Sequence, residues 1–116
     1  MRAYFMQLAE DQAHKSSQNF KHGAVLVRNG KVISSGHNKV TTRCPSHMYS
    51  VHAEMAAIKQ SSSNELKDAQ LYVVRVRKCG HVAESRPCRK CQQFMKLHGI
   101  SRCYFTTDDG FDSMYI

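Results

Sequence analysis

The chain has 116 residues, 41% hydrophobic and 22% charged, a balance ordinary for a soluble globular protein that argues against disorder. Seventeen Lys and Arg against nine Asp and Glu give a formal net charge of +8, which favours an anionic partner, although no block of five or six basic residues occurs. No apolar run approaches the roughly 18–20 residues that cross a bilayer, and Met1–Leu8 is too short an apolar stretch for a secretory signal, so an intracellular protein, cytoplasmic or nuclear, with no membrane partner is expected.

Residues 3–18 carry Phe5, Leu8, Ala9 and Ala13 at helical spacing and predict a first amphipathic helix. Ala24–Arg28 and Lys31–Gly36 flank Asn29-Gly30, a pair suited to a two-residue turn in which both positions need positive φ, so a β-hairpin follows. Residues 37–50, with Pro45, read as a loop, and residues 51 to 62 as a second helix that can bury Met55, Ala56 and Ile58. Leu71–Val76 is a third strand, followed by a long stretch from Arg77 to Arg86 that reads as a loop or a small extension of that strand. Pro87 suits the first turn of a third helix, whose apolar side holds Phe94, Met95 and Leu97 and which Gly99 ends. Arg102–Thr106 is a fourth strand, and Asp109-Gly110 predicts a reversal into a short fifth strand over 111–116, antiparallel to the fourth. With neither repeat nor linker, residues 1–116 read as one α/β domain around one partly antiparallel sheet.

Two short motifs carry chemistry: His52-Ala53-Glu54 at the second helix, and Pro87-Cys88-Arg89-Lys90-Cys91 at the third. Cysteines at i and i+3 share one helix face, and a helix's first turn favours the thiolate a metal needs. One imidazole and two thiolates, His52, Cys88 and Cys91, match zinc and leave a fourth position open, as in catalytic rather than structural sites. Glu54 is spaced to help activate water. Two other readings compete: a redox pair at Cys88 and Cys91, which leaves His52 and Glu54 without a role, and a structural zinc site completed by Cys44, Cys79, His47 or His81. The odd cysteine count, five, argues against a disulfide framework; Cys103 reads as core, Cys44 and Cys79 as loop thiols.

The pair of motifs, H-x-E and P-C-x-x-C in that order, resembles the signature of the cytidine/deoxycytidylate deaminase superfamily. Gly23–Val27 is similar to that family's first strand, and Gly36-His37-Asn38 to the end of its second. The resemblance covers nearly the whole chain and implies a three-layer α-β-α sandwich with one mixed sheet of four to five strands and an N-terminal β-hairpin. It implies one Zn2+ per chain, and hydrolytic attack of water at C4 of cytosine or C6 of adenine with Glu54 carrying the protons. By the same resemblance Asn38, the backbone of Ala53 and the carbonyl of Arg86 contact the substrate; the position of Arg86 is often Ser or Thr in the family. The length of the Arg77–Arg86 stretch is a second departure, either a flap or a surface hairpin.

Three functions remain open on the sequence: deamination of a cytosine nucleoside or nucleotide, deamination of cytosine or adenine in single-stranded nucleic acid, and a non-catalytic zinc subunit. The intact Glu54 speaks against the last. A histidine as first ligand resembles the nucleotide and nucleic-acid branches, and the positive charge suits either. A C-terminal hairpin resembles the free-nucleoside branch and some secreted toxin deaminases, whereas tRNA adenosine deaminases usually carry a further helix and strand. Stacking of single-stranded bases would draw on Tyr49, Tyr104, Phe105, Phe111 or Tyr115. The reading leans to cytosine, and a homo-oligomer is expected by analogy alone.

Overall fold

The structure, a computed structural model, describes residues 2–16, 21–40, 50–51, 53–61, 66–77 and 80–116. In chain order it has α1 (Arg2–Ala13), β1 (Lys21–Arg28), β2 (Lys31–His37), β3 (Lys39–Val40), β4 (Ser50–Val51), α2 (Ala53–Gln60), β5 (Gln70–Val76), β6 (Val82–Ala83), α3 (Arg89–Leu97), β7 (Arg102–Thr107) and β8 (Gly110–Tyr115). The main sheet runs β2-β1-β5-β7-β8, with β6 added to β5, and β3 and β4 pair separately. All pairs in it are antiparallel except β5 with β7, which α3 connects as a crossover.

The expected sandwich is present, with two corrections to its detail. The sheet has six strands among the described residues rather than four or five, and residues 39–40 and 50, read as loop, with 51, read as the start of a helix, form a short ladder. Two-residue strands carry no periodicity, so nothing local announces them. The helices are also shorter than predicted: α1 stops at Ala13, and α2 begins at Ala53 because Ser50–Val51 is already paired.

Burial on both faces explains why the central strands are apolar without alternation. Alternate residues of β1, β5 and β7 (Leu26, Leu71, Val73, Cys103, Phe105) face α2 and α3, where they meet Ala57, Ile58, Cys91 and Met95. The opposite residues (Val25, Val27, Tyr72, Val74, Tyr104) face α1 through Phe5, Met6, Ala9 and Ala13. On that side Phe5 leans on Tyr72, and Tyr72 stacks on Tyr104 at 4.6 Å with 9° between the rings.

Turn chemistry sets the hairpins. Asn29 (φ 53°) and Gly30 (φ 75°) both take positive φ, as the first hairpin requires. The tail strand is also present, with Thr107 facing Gly110 across Asp108-Asp109 and Arg102 facing Tyr115. One glycine matters for packing rather than for turning. At Gly23 a Cβ would run into the Ala9 carbonyl and the Ala13 amide, so α1 lies on β1 with backbone nearly touching backbone.

Candidate active site

The site is assembled from the starts of α2 and α3 on one face of the sheet. Small residues let α2 approach closely: a Cβ at Gly36 of β2 would lie 2.7 Å from the Ala57 nitrogen and 2.9 Å from the Ala56 Cβ. The Ser34 hydroxyl donates to the Ala57 carbonyl and ties the two elements together. In the first turn of α2, Ala53 is fully buried and Glu54 is only 5% exposed, an unusual place for a carboxylate.

At α3 the helix starts two residues later than Pro87 led one to expect. Cys88 is the N-cap, with extended backbone (φ −69°, ψ 166°) and no side-chain capping bond, so Pro87 lies outside the helix. Its carbonyl accepts the first intrahelical bond, from Gln92 N–H at 2.9 Å, and the Gln92 side-chain amide donates to the Pro87 carbonyl at 2.8 Å. Cys91 follows in the first turn and is fully buried. The far end closes as a Schellman motif: Gly99 N–H donates to Lys96, Ile100 N–H donates to Met95, and Gly99 takes φ 84°.

The Cys91 thiol lies within hydrogen-bonding reach of both Cys88 and Glu54. Burial first, then the Glu54 carboxylate, then Cys88 push that thiol far above its ordinary pKa. Cys103 of β7, behind them, is pushed up by burial and by the same carboxylate. α2, α3 and β7 therefore converge on Glu54. No disulfide links Cys88, Cys91 and Cys103.

The expected site residues fall out as follows. Glu54, Cys88 and Cys91 come together. His52, Cys44, His47, Tyr49 and Cys79 lie outside the described residues. Asn38 is buried and locks the hairpin, its Oδ1 accepting from His22 N–H at 2.8 Å while its own N–H donates to the His22 carbonyl at 3.1 Å. The Arg86 side chain lies over the Phe105 ring at 4.8 Å and near Glu84 at 3.8 Å. His81 is exposed. Of the stacking candidates, Tyr104 and Phe105 are core, whereas Phe111 and Tyr115 are exposed. Gln92 was missed by sequence reasoning; its position four residues after Cys88, one helical turn on, was the available signal.

Among the described residues, no group of three or more His, Cys, Asp or Glu could hold a metal, so the thiol pair needs a ligand from outside that set. The pair itself fits zinc: two soft donors, one at a helix cap and one in its first turn, within reach of one another and beside a buried carboxylate. The outer side of α3 is basic, with Arg89, Lys90 and Lys96 exposed and no acidic residue in the helix. A groove of about 280 Å³ runs there between Arg89, Gln92, Gln93, Lys96, Tyr115 and Ile116. A larger depression of about 350 Å³ opens on the α1 face, lined by Met6, Glu10, Val74, Thr106 and Phe111, across the sheet from the cysteines.

A mixed sheet with helices on both faces, and a cysteine pair meeting a buried glutamate at two helix N-termini on one of them, defines the class of the protein. The family profile of the cytidine and deoxycytidylate deaminase zinc-binding region matches residues 1–107, and the chain belongs to that family. A tRNA-specific adenosine deaminase of Streptococcus pyogenes serotype M1 is 32% identical over 122 aligned positions; these take in 97% of this chain but only 64% of the relative. Two solved structures share the fold. The cytidine deaminase from Burkholderia pseudomallei superposes with a TM-score of 0.74 at 23% identity, covering 99% of this chain and 92% of that one. The dCMP deaminase from cyanophage S-TIM5 gives 0.71 at 22%, covering 91% and 82%.

Proposed function

We propose that the chain hydrolyses the exocyclic amine of a cytosine base in a nucleoside- or nucleotide-type substrate, releasing ammonia and leaving uracil. The observation that carries this reading is the buried Glu54 carboxylate held against the Cys91 thiol, with Cys88 beside it. Burying a carboxylate is unfavourable unless it is paired or hydrogen-bonded, and the intact Glu54 speaks against a non-catalytic zinc subunit. His52, Cys88 and Cys91 would hold the metal. Zinc, when bound, supplies Lewis acidity that lets a water lose its proton near neutral pH.

Glu54 takes that proton as the water oxygen bonds to C4 of the ring, and passes it to N3. The proton left on the new C4 hydroxyl then goes through the same carboxylate to the exocyclic amine, the C4–N4 bond breaks as C4=O forms, and ammonia leaves. Asn38, the Ala53 backbone and the Arg86 carbonyl would orient the base. The antiparallel β7–β8 hairpin supports the small-substrate reading, since such a hairpin resembles the free-nucleoside branch of the family. A second reading, a base in single-stranded RNA or DNA, has two supports: the relative named as a tRNA-specific adenosine deaminase, and the basic outer side of α3.

A panel of cytidine, deoxycytidine, dCMP, single-stranded DNA and tRNA, followed by ammonia release from the zinc-loaded protein, separates the two. We expect turnover on a small cytosine substrate with little salt dependence. Turnover on tRNA or DNA alone, with binding that weakens steeply as salt rises, selects the second reading. No release from any of the five overturns deamination. In the same preparation Cys88→Ala is expected to lower bound zinc from one per chain to below about 0.1. Because Cys88 is exposed, the metal-free protein should change by less than about 1 kcal/mol in thermal denaturation.

A further inference from the structure

Apart from the Arg86 carbonyl, the described residues between Arg77 and Arg86 have no role in the chemistry above, yet several hydrogen bonds hold them to the sheet. Arg77 N–H donates to the His81 carbonyl at 2.8 Å, and β6 then pairs back along β5, Ala83 opposite Arg75. Beyond Ala83 the chain bonds to β7 as well. Ser85 N–H donates to the Thr106 carbonyl at 2.9 Å, and Thr106 N–H donates to Ser85 Oγ at 2.7 Å. Ser85 Oγ lies 2.8 Å from the Val73 carbonyl, Thr106 Oγ1 lies 2.6 Å from the Ala83 carbonyl, and the two hydroxyl oxygens are 2.7 Å apart. Two hydroxyl protons can fill only two of these three close contacts at a time. Ser85 and Thr106 are each only 5% exposed, so water does not substitute for a lost partner.

We propose that Ser85 and Thr106 are positioning residues for the cysteine pair: their hydroxyls pin the segment that delivers Cys88 to the start of α3. Three residues span at most about 10 Å, so fixing Ser85 against β5 and β7 restricts where Cys88 can sit. On the other side the Gln92 amide holds the Pro87 carbonyl, which leaves the Pro87–Cys88 backbone anchored at both ends. The inference rests on the reading of Cys88 and Cys91 as zinc ligands.

The test uses the full chain as Ser85→Ala, Thr106→Val and Thr106→Ser. Zinc affinity is measured by competition with a chromophoric chelator, and Co2+ serves as a spectroscopic probe of the thiolates. Ser85→Ala and Thr106→Val should weaken zinc binding about 10–100-fold, as loss of outer-shell support does elsewhere, and shift the thiolate-to-cobalt absorption. Thr106→Ser, which keeps the hydroxyl, should restore both to within about threefold of the parent. A merely structural role would lower the melting temperature of the metal-free protein and leave both readouts of the folded protein unchanged, and that result overturns the proposal. Zinc bound without deamination defeats the enzymatic reading alone. Should the parent bind no zinc, the ligand reading fails, and positioning is read in the metal-free chain from amide exchange. There Gln92 N–H should exchange at least about tenfold faster in Ser85→Ala while Val25 N–H of β1 is unchanged; equal exchange in parent and variant also overturns the proposal.

Discussion

Glu54→Gln is expected to reduce turnover by about 10³-fold or more while one zinc per chain remains bound. The substitution keeps the shape of a side chain that is 5% exposed and removes only its capacity to take and return protons. Since the same carboxylate serves the water, the ring nitrogen and the departing amine, no second group of the described site stands in for it. Removing a negative charge beside Cys91 also relieves one of the influences that raise that thiol, so metal retention is the expected companion result. Ammonia release and atomic emission, measured on one sample, give both quantities. Turnover within tenfold of the parent would retire Glu54 as the proton carrier.

The second large effect concerns the fold. Gly23→Ala is expected to destabilise the protein by about 3 kcal/mol and to lower its melting temperature by roughly 15 °C. A methyl group at this position meets the Ala9 carbonyl and the Ala13 amide, which are backbone atoms of α1 and cannot rotate aside. The helix must lift from β1, which uncovers Val25, Val27 and Tyr72 together. Gly80→Ala is the matched control: Gly80 has φ 93° but nothing within 4 Å of a new Cβ, so only the backbone preference of about 1 kcal/mol is lost. Equal stability of the two variants would show that α1 does not sit as close to β1 as described.

Much of the fold was legible because its signals are local. Asn29-Gly30 dictates a turn with two positive φ values, Gly99 stops α3, and the apolar runs around Val25 and Val73 need two covered faces. The candidate site was legible for a similar reason: Cys88 and Cys91 lie three residues apart at the start of α3, and Glu54 lies in the turn that opens α2. What escaped depends on partners far along the chain. Ser85 acquires its role from Thr106, 21 residues away, and neither residue type nor spacing distinguishes it from an ordinary loop serine. The ladder of Lys39–Val40 with Ser50–Val51 is equally silent, because two residues cannot show an alternation. Pro87 misled by two positions: it occupies the residue before the cap, and the extended Cys88 takes the cap itself.

The stacked pair on the α1 face has an optical consequence. The chain holds no tryptophan and five tyrosines, so its near-ultraviolet signal is carried largely by phenol rings. Tyr72 and Tyr104 lie nearly parallel at 4.6 Å, close enough for their transition dipoles to couple, and Phe5 of α1 closes over the first of them. Near-ultraviolet circular dichroism therefore watches one side of the sheet, while a metal probe at Cys88 and Cys91 watches the other. The two faces can be followed separately through one unfolding experiment, without adding a label.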